Sequence, residues 1–550
     1  MTSNTLLHKS TSTPYLSLVT RNSFSKQHWL TLLTWTTVLA LFIVAIWMRL
    51  HLLDVPFDRD TYDEGVYWQS LRSMSTGASL YQQIFYSQPP FFLLSIYPFY
   101  ALLGQTIWSA RLGIAIISLF GFLGALLLGR ALAGRLGMLL ALLLLVINPL
   151  YLAESQILQA DAPATALTLL TVGLAYLWWE RPDGLMGYCL ATLAAITLAL
   201  SMLTKLLVVP ALAPVGLLAL AHLIRVKKSP VKVFASIGPL LLGCIAFVLT
   251  TILLLLPFSH TFSQFWQTVV TFHTDAKTYF LDTQSGNSTN IGSTLESLLG
   301  ASALYGTVIA LLRRDWRIIP LLVWLVATIY LLWQQVPLFL HHLVVLIPPL
   351  IALATIGVAP ITRTEKRPRL LVGHLLRLLP LKTTFASKKP AFLKVISKAT
   401  HPLVHIATVI TIILALCQIV SNIQPIRSFY DSSYLNAHSQ STQPNIHVIH
   451  DLQRFTKQDQ LVITDAQFIA AQAGRSTPAS LVDTSDVRIF TNYVTTQQLI
   501  EEASQPQVQV VLFYTDRLDM MLPSFYNWVS QHFHLAYRYG SGEELWVKNP

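Results

Sequence analysis

The acidic side chains that lie at the ends of apolar segments are the residues of this 550-residue chain best suited to chemistry. They occur with one lysine and a pair of histidines that also lie at the ends of apolar segments. The set consists of Asp63, Glu64, Glu154, Asp161, Lys205, His341 and His342. A carboxylate can take a proton from a hydroxyl group, and cationic donors can stabilise negative charge on a departing group.

The composition predicts that a membrane surrounds the elements that position these residues. Only 11% of the residues are charged, whereas soluble globular proteins have about 25%, and the mean hydropathy is +0.54. These values exclude a single soluble domain and a disordered chain. The net charge of +11 lies in short clusters between apolar runs, as in cytoplasmic loops, so nucleic acid is not expected as a partner. The three cysteines lie inside apolar stretches and indicate neither a disulfide framework nor a cysteine-built metal site.

The apolar segments predict about eleven transmembrane helices. The first follows a basic tail and runs from about Leu30 to Leu53; it can cross a hydrocarbon core of about 30 Å and is longer than the apolar part of a usual signal peptide. The others centre near 112–129, 137–151, 162–179, 186–203, 206–223, 232–257, 296–313, 317–333, 342–360 and 401–422. Pro89–Gly104 is apolar but short, and we interpret it as an interfacial or re-entrant helix on the outer side.

The links between these segments alternate in charge. The links rich in lysine and arginine are 129–135, 225–232, 313–317 and 363–398, and the positive-inside rule places them in the cytoplasm. The acids, Lys205 and the histidine pair then all lie at the extracytoplasmic face of the cell membrane. Charges at such depth are costly unless they face a polar cavity, so the sequence predicts one there. The basic loop 361–400 is interpreted as a solvated loop, with contact to anionic lipid as the alternative.

Residues 423–550 predict a small extracytoplasmic α/β domain. Strand-like runs at 460–464, 508–514 and 536–539 alternate with helical patterns at 495–503 and 523–533. No phosphate loop, HExxH or Gly-x-Ser-x-Gly motif indicates a function for it. The predicted organisation is a cytoplasmic tail (1–28), a transmembrane module (29–360) with an external loop (54–110), a basic loop (361–400), a last transmembrane helix (401–422) and this domain (423–550).

Several of the polar residues also have a plainer interpretation. The acids expected to be ordinary loop charges are Asp54, Asp58 and Asp60. Glu154 is equally well explained as an interfacial cap. Lys205 can extend from a helix end to the surface, although its flanks are apolar on both sides, and the histidines alone are better explained as interfacial residues. Asp63 and Glu64 are harder to explain in this way, because a longer pattern surrounds them.

That pattern reads Asp63-Glu64-Gly65-Val66-Tyr67, Gly77-Ala78-Ser79-Leu80-Tyr81, Gln88-Pro89-Pro90 and Ala110-Arg111-Leu112. It resembles the GT-C class of polytopic glycosyltransferases that use polyprenyl-phosphate sugars, in particular the protein O-mannosyltransferases of family 39, the lipid A aminoarabinose transferases and the rhizobial lipopolysaccharide galacturonosyltransferases. Similar later elements are Asp161, Leu203-Thr204-Lys205, Leu340-His341-His342 and Pro348-Pro349. The resemblance covers roughly residues 30–360. Gln88 departs from it, because some relatives have a lysine there that helps to hold the lipid phosphate.

The resemblance implies an all-α GT-C-like membrane fold and a glycosyltransferase activity. The donor would be a polyprenyl-phosphate sugar, and the acceptor a hydroxyl group of a lipid, glycan or protein. Asp63 is then expected to be the general base of an inverting reaction. Glu64 and Asp161 would orient acceptor or sugar, and Lys205 would pair with Asp63 or with the donor phosphate.

The remaining expected contacts concern phosphate and sugar. Lys205, Arg111 or a histidine would bind phosphate in place of the missing lysine, and His341 or His342 would contact phosphate or sugar. The aromatic residues of the outer face either stack on sugar or form the interfacial aromatic belt, and most of them are expected in the belt. These aromatic residues are Tyr67, Trp68, Tyr81, Tyr86 and Trp108. A divalent metal near the acids is compatible with the pattern, although no ligand spacing requires one.

Functions of other classes are alternatives. A secondary transporter would predict charges in the middle of the spans and internal repeats, and the sequence has neither. A non-catalytic protein of cell-envelope polysaccharide assembly would retain the fold without the activity, and the acids together with Lys205 argue against it. A lipid-linked oligosaccharide ligase would predict an external loop rich in arginine and histidine, whereas the loop 259–294 has His260 and His273 and no arginine.

Overall fold

The computed structural model describes residues 15–55, 62–226, 233–359, 391–438 and 443–549. Helices form most of it, because a backbone in hydrocarbon must satisfy its hydrogen bonds within its own segment. The helices before the C-terminal domain are α1 (Tyr15–Leu50), α2 (Tyr62–Ser75), α3 (Phe91–Leu102), α4 (Ile107–Val146), α5 (Pro149–Glu154), α6 (Asp161–Glu180), α7 (Gly184–Thr204), α8 (Leu212–Val226), α9 (Val233–Leu255), α10 (Phe262–Trp266), α11 (Phe272–Tyr279), α12 (Asn287–Leu295), α13 (Leu298–Leu312), α14 (Ile318–Gln334), α15 (Ile347–Ile356) and α16 (Ala391–His438). Short 3₁₀ segments at Leu206–Ala211, Leu256–Thr261, Leu281–Gly286 and Leu340–Leu346 and a π segment at Gln267–Thr271 connect some of them.

Seven helices among the described residues are long and apolar enough to cross a membrane, or eight if a pair bent by 72° is one span. That pair is Leu281–Leu295 with Leu298–Leu312. Three shorter apolar helices, Phe91–Leu102, Ile318–Gln334 and Leu340–Ile356, accompany them. The polytopic helical fold is therefore confirmed, and the number of eleven spans stays a prediction. The short helix α3 is the one expected within Pro89–Gly104.

Two of the predicted spans lie within α4. Its backbone leaves the helical conformation at Ala133 and at Gly134, where φ is +70°. A Cβ atom on Gly129 would lie 2.2 Å from the carbonyl oxygen of Gly137. Only glycine permits this approach, so the chain turns back here and two helical segments pack against each other.

The basic links 129–135 and 313–317 meet at one end of the helix bundle. Arg317 Nη1 donates to the carbonyl oxygen of Ala131 over 3.2 Å, and its guanidinium also pairs with Asp315 at 2.6 Å. The guanidinium of Arg313 donates to the carbonyl oxygen of Ala359. Arginines that cap carbonyl groups of neighbouring helix ends thus hold this end of the bundle together.

The C-terminal domain contains a four-stranded sheet with the order β1-β2-β4-β3. Its strands are β1 (Leu461–Thr464), β2 (Val508–Phe513), β3 (Phe533–Arg538) and β4 (Glu544–Lys548), and its helices are α17 (Gln443–Phe455), α18 (Gln467–Gln472), α19 (Asp486–Phe490), α20 (Thr496–Ser504), α21 (Arg517–Met520) and α22 (Pro523–His532). Strands β1 and β2 are parallel, and β4 is antiparallel to β2 and β3. The predicted α/β domain is confirmed, and β4 is a strand that the sequence patterns did not predict.

The last predicted transmembrane segment, 401–422, is part of a longer helix. Helix α16 has 48 residues and ends at His438, and Asn422 of this helix donates from its side chain to the carbonyl oxygen of Ile147. The α/β domain therefore begins near Gln443 and not at 423. Asp58, Asp60, residues 1–14 of the tail and residues 361–390 of the basic loop lie outside the described residues.

Candidate active site

A cavity of about 780 Å³ lies between the transmembrane module and the C-terminal domain. Seven of the eight predicted site residues line it, namely Asp63, Glu64, Tyr67, Asp161, Lys205, His341 and His342. The lining residues that were not predicted as site residues include Gln88, Glu154, Gln159, His273, Asp483, Asp486 and Arg517. Arg111 is fully buried and does not line the cavity. The predicted polar cavity thus exists, and the C-terminal domain forms part of its wall.

Helix ends present the charged side chains to this cavity. Asp63 and Glu64 lie in the first turn of α2, and Asp161 is the first residue of α6. Lys205 follows the last residue of α7 in an extended conformation, with φ −157° and ψ 131°. Acids near helix N-termini and a lysine at a helix C-terminus all match the sign of the helix dipole. Local backbone electrostatics therefore favour this distribution of charge.

Asp161 and Lys205 form a buried ion pair in the cavity wall. Lys205 Nζ donates to Asp161 Oδ1 over 2.8 Å and to Oδ2 over 2.6 Å. Both residues are almost fully buried, at 1% and 7% exposure. The expectation that Lys205 pairs with Asp63 is wrong, because α6 and α7 pack side by side and bring the start of one next to the end of the other. An ammonium group has three N–H donors, and Lys205 uses two of them in its hydrogen bonds to Asp161.

Asp63 is half-buried at the start of α2, in the same cavity. The side-chain amide of Gln159 donates to its Oδ2 over 3.3 Å. Tyr67, one turn further along α2, also lines the cavity. Burial and then the Asp63 carboxylate raise the pKa of the Tyr67 phenol well above its usual range, so this phenol keeps its proton.

Glu64 and Arg111 form a second buried ion pair, in which Arg111 is completely enclosed while Glu64 also lines the cavity. Arg111 Nε and Nη2 donate to the two oxygens of Glu64 over 2.8 and 2.5 Å. Arg111 Nη1 donates to the carbonyl oxygens of Leu53 and Val55, and the backbone amide of Leu158 donates to Glu64 Oε1 over 2.7 Å. The pair therefore ties α2 and α4 to the end of the first span and to the segment that precedes α6.

The histidine pair lies next to Asp161. The ring centroids of His341 and His342 are 4.4 Å apart, and the backbone amide of Phe339 donates to His342 Nδ1 over 3.3 Å. Asp161, His341 and His342 each offer one possible metal-ligand atom, and these three atoms lie within 4.8 Å of one another. Two imidazoles and a carboxylate are a donor set that divalent transition metals accept. A cation at this position would compete with Lys205 for the oxygens of Asp161.

The segment that departs from the resemblance forms another part of the wall. Gln88 lines the cavity, and its carbonyl oxygen accepts a hydrogen bond from the Tyr81 hydroxyl over 2.8 Å. His273 of α11 lies beside it, with Nε2 2.9 Å from the carbonyl oxygen of Ser87. This histidine therefore lies close to the position where some relatives carry a lysine.

Most of the outer aromatic residues are core residues and not part of an interfacial belt. Trp68, Tyr81 and Tyr86 are buried, at 6%, 4% and 2% exposure. Their rings pack in a hydrophobic cluster that includes Phe468 of the C-terminal domain. Trp108 is 41% exposed, as a belt residue would be. These rings are buried by contacts with residues that are distant in the sequence, so the local sequence does not predict their burial.

The C-terminal domain is held against α2 at the cavity. The Tyr62 hydroxyl donates to Asp483 Oδ1 over 3.0 Å and accepts from the Thr484 amide over 2.7 Å. The guanidinium carbon of Arg517 lies 4.2 Å from the centre of the Tyr62 ring. A Cβ atom on Gly65 would lie 2.4 Å from the backbone nitrogen of Phe468. Gly65 is thus required for close packing of two backbones, and no sequence motif indicated this contact.

Comparisons with known proteins agree with this fold. The chain is similar in structure to ArnT from Cupriavidus metallidurans in the apo state, with a TM-score of 0.53, 15% sequence identity and coverage of 95% of this chain and 98% of ArnT. For ArnT bound to undecaprenyl phosphate the TM-score is 0.56, the identity 15% and the coverage 94% and 97%. Residues 74–273 match the dolichyl-phosphate-mannose-protein mannosyltransferase family. A search of curated proteins found no match.

The fold and the matching segment together identify the class of this protein. It is a multi-pass membrane glycosyltransferase with the GT-C fold. At 15% identity the structural similarity concerns the fold, and the matching family segment contains Arg111, Glu154, Asp161, Lys205 and His273. The expected GT-C resemblance is therefore confirmed.

Proposed function

We propose that this protein transfers a sugar from a polyprenyl-phosphate donor to an acceptor hydroxyl group, with inversion at the anomeric carbon and with Asp63 as the general base. The observation that carries the proposal is the cavity in which Asp63, the Asp161–Lys205 pair and the histidines meet. The family matched by residues 74–273 is named for a dolichyl-phosphate-mannose donor, and a structure of the same fold is bound to undecaprenyl phosphate. Both support a lipid phosphate as the carrier of the sugar.

Asp63 is favoured as the base by its position in the cavity wall. It lies in the first turn of α2, lines the cavity where an acceptor hydroxyl can reach it, and accepts a hydrogen bond from the amide of Gln159. Each of Glu64 and Asp161 accepts hydrogen bonds from a cation through both of its oxygens. Protonation of either of these two carboxylates would remove its charge and weaken its ion pair.

The departing phosphate would bind at Lys205. Two hydrogen bonds to Asp161 hold its ammonium group in place, and its third donor is available for a phosphate oxygen. His341 and His342 line the same part of the cavity, and His273 lies next to Ser87, beside the residue that replaces the expected lysine. Donors that are already oriented stabilise the phosphate without reorganisation during the reaction.

A single base and a phosphate leaving group are sufficient for direct displacement. The acceptor oxygen attacks the anomeric carbon as its proton passes to Asp63, and the bond from this carbon to the phosphate oxygen breaks. No second carboxylate has to form a covalent intermediate, in contrast to a retaining glycosidase. The product sugar then has the opposite anomeric configuration.

The site is proposed to lie at the extracytoplasmic face. Helix α6 begins with Asp161 in the cavity, and its 20 residues extend about 30 Å. Near its other end, the Tyr176 hydroxyl donates to the carbonyl oxygen of Arg317, in the basic link 313–317. The cavity and the basic links are thus on opposite sides of a bilayer, and the positive-inside rule assigns the basic side to the cytoplasm.

The reaction is tested with purified protein in nanodiscs and a panel of polyprenyl-phosphate sugars with candidate acceptors. Release of polyprenyl phosphate is measured for the wild type and for Asp63→Asn, which keeps the size of the side chain and removes its basicity. We expect release by the wild type and a loss of about 10²–10⁴-fold in the variant.

Asp54→Asn is the matched control. It makes the same chemical change at an exposed residue that does not line the cavity, so its rate should equal that of the wild type. Full activity of Asp63→Asn would show that Asp63 is not the base. No release from any donor by folded protein would contradict the transferase proposal itself.

A further inference from the structure

Glu154 is a buried carboxyl group in the cavity wall with no role in the reaction as proposed so far. It is the last residue of α5 (Pro149–Glu154), which starts from an Asn148 cap. Its exposure is 5%, and it lines the cavity. Its Oε2 atom is buried without a hydrogen-bond partner among the residues that the structure describes. An ionised carboxylate in such a place is costly, whereas a protonated one is tolerated.

The surrounding charges also favour the protonated form. Burial and then the Asp161 carboxylate raise the pKa of Glu154 well above its usual value, with smaller contributions from Asp63 and Glu64. Lys205 acts in the opposite direction, but both of its assigned hydrogen bonds go to Asp161. The excess of negative charge in this part of the cavity is therefore lowest when Glu154 is neutral.

The elements packed against α5 contribute few other charges. They are α6, α16 and the 3₁₀ segment Leu340–Leu346, together with α1 and α4, which contact Tyr151 through Arg49 and Ser118. The charged and titratable groups that these elements bring near α5 are Arg49, Asp161, Tyr430, His341 and His342. Among the described residues, no ion pair links any of them to Glu154. Arg49 lies over the ring of Tyr151 and is not among the groups with the largest effects on the pKa of Glu154.

The reaction requires a proton on the side of the phosphate. The acceptor hydroxyl loses a proton, and the departing polyprenyl phosphate becomes a monoester whose second pKa is near 6. The proton released from the acceptor is therefore taken up, in part, by the other product. A base on the acceptor side and an acid on the phosphate side would together carry out this transfer.

We propose that Glu154 is the general acid of this site and donates its proton to the departing lipid phosphate. The inference rests on the proposed glycosyl transfer. The acceptor oxygen forms the bond to the anomeric carbon and gives its proton to Asp63. The bond from that carbon to the phosphate oxygen breaks, its electron pair stays on the phosphate, and that phosphate takes the proton of Glu154. The proton on Asp63 then returns to Glu154 through water in the cavity, and the charges balance.

The location of Glu154 agrees with this role. Glu154 ends α5, which packs against α6 and the 3₁₀ segment Leu340–Leu346. These two elements carry Asp161 and the histidine pair, beside which the phosphate is proposed to bind. Asp63, the proposed base, lies at the start of α2, so the two carboxyl groups reach one cavity from different elements.

The kinetic test compares Glu154→Gln with the wild type in single-turnover release of polyprenyl phosphate across a range of pH. Glutamine keeps the size and a hydrogen-bond donor but has no transferable proton, so we expect a loss of about 10²–10⁴-fold. The neutral carboxyl is the active form, so wild-type activity should fall as the pH rises through the pKa of Glu154. The residual activity of the variant should lack this alkaline decrease.

Two further variants complete the kinetic test. Glu154→Asp keeps a transferable proton and should retain both part of the rate and the alkaline decrease. Glu296→Gln makes the same change as Glu154→Gln at an exposed residue outside the cavity and should have no effect. If Glu154→Gln has the rate and the pH profile of the wild type, Glu154 is not the acid, while the proposed transfer still stands.

A spectroscopic test does not depend on turnover. Infrared spectra of the protein in nanodiscs at neutral pH should contain the carbonyl band of a protonated carboxyl group. This band should disappear in Glu154→Gln, shift in Glu154→Asp and remain in Glu296→Gln. A wild-type spectrum without such a band would overturn the inference even if no donor has been found. Failure of the proposed function has a different signature, which is the absence of release by a wild type that has the band.

Discussion

The two buried ion pairs of the site differ in what surrounds the cation. Arg111 does not line the cavity, and it donates four hydrogen bonds, to both oxygens of Glu64 and to two backbone carbonyls. Lys205 bonds to both oxygens of Asp161 but lines the cavity with its third donor unassigned. A cation that bonds to backbone groups away from the cavity positions the backbone, whereas a cation held by one partner at the cavity can still bind an anion.

The difference leads us to propose different roles for the two pairs. From the resemblance, Arg111 and Glu64 were expected to contact phosphate, sugar or acceptor. Their geometry instead favours a positioning role, because the pair holds the start of α2, and hence Asp63, against the end of the first span. Asp161 and Lys205 lie at the ends of two transmembrane helices and remain candidates for substrate contact. The comparison can be tested by removing the charges of each pair in turn.

The largest effect on folding is expected from Arg111→Met. This change leaves Glu64 as an uncompensated charge in a fully buried place, at a cost of about 3–5 kcal/mol in the free energy of unfolding. It also removes the donors to the carbonyl groups of Leu53 and Val55. Thermal unfolding in detergent, followed by circular dichroism, should show a strong decrease in Tm or a failure to accumulate folded protein.

The double variant Arg111→Met with Glu64→Gln sharpens this prediction. It removes both charges, so part of the lost stability should return, and transfer activity should return in proportion to the amount of folded protein. An Arg111→Met variant as stable as the wild type would show that the Arg111–Glu64 pair does not position the site.

A smaller effect on folding but a large one on catalysis is expected from Lys205→Met. The described hydrogen bonds of the Lys205 ammonium group go to Asp161 alone, whereas Arg111 also holds two backbone carbonyl groups, so removal of Lys205 breaks fewer contacts. Loss of one oriented donor to the phosphate should lower single-turnover release by about 10²–10³-fold. Release of polyprenyl phosphate and Tm are measured on the same preparations.

The double variant of the Lys205–Asp161 pair should behave differently from the double variant of the Arg111–Glu64 pair. Lys205→Met with Asp161→Asn should recover stability, because no buried charge is left unpaired, but transfer should stay low. Recovery of activity together with stability would mean that Lys205 only compensates Asp161 and does not bind the donor.

The smallest effect is expected at an exposed pair. Arg427 and Asp431 lie one turn apart on α16 with an N···O distance of 3.2 Å, and their side chains are 73% and 59% exposed. Solvent screens such a pair, so Arg427→Ala should leave both Tm and transfer unchanged. A clear decrease in either quantity would show that the proximity of two charges, and not their burial, determines the effects in this protein.

Much of the fold follows from the order of residues in the sequence. Long apolar runs, the basic links between them and the sparse acids predicted a polytopic helical protein with its polar residues at one face. Two of the three predicted strands, at 460–464 and 508–514, closely match β1 and β2. Strand β4 (Glu544–Lys548) was not predicted, and its pairing with β2 on one side and β3 on the other is a tertiary contact that the sequence pattern does not contain.

The site was predicted less completely than the fold. The residue types and their common face were evident, since each charge at the end of an apolar run is costly and stands out. The pairing was not evident: Lys205 bonds to Asp161 and not to Asp63. Glu154 was equally well explained as a cap. His273 and the residues of the C-terminal domain that line the cavity were not predicted to belong to it.

The sequence by itself determined that the chain is a multi-pass membrane protein and that its scarce charges lie at the ends of apolar segments. Those properties depend on the cost of transferring each segment from water to hydrocarbon, a sum over neighbouring residues that can be read along the chain. Only the tertiary structure decided which carboxylates form ion pairs with which cations and what closes the cavity. Such contacts need atoms about 3 Å apart, and in this protein they join residues as distant as Tyr62 and Asp483, which are 421 positions apart in the chain.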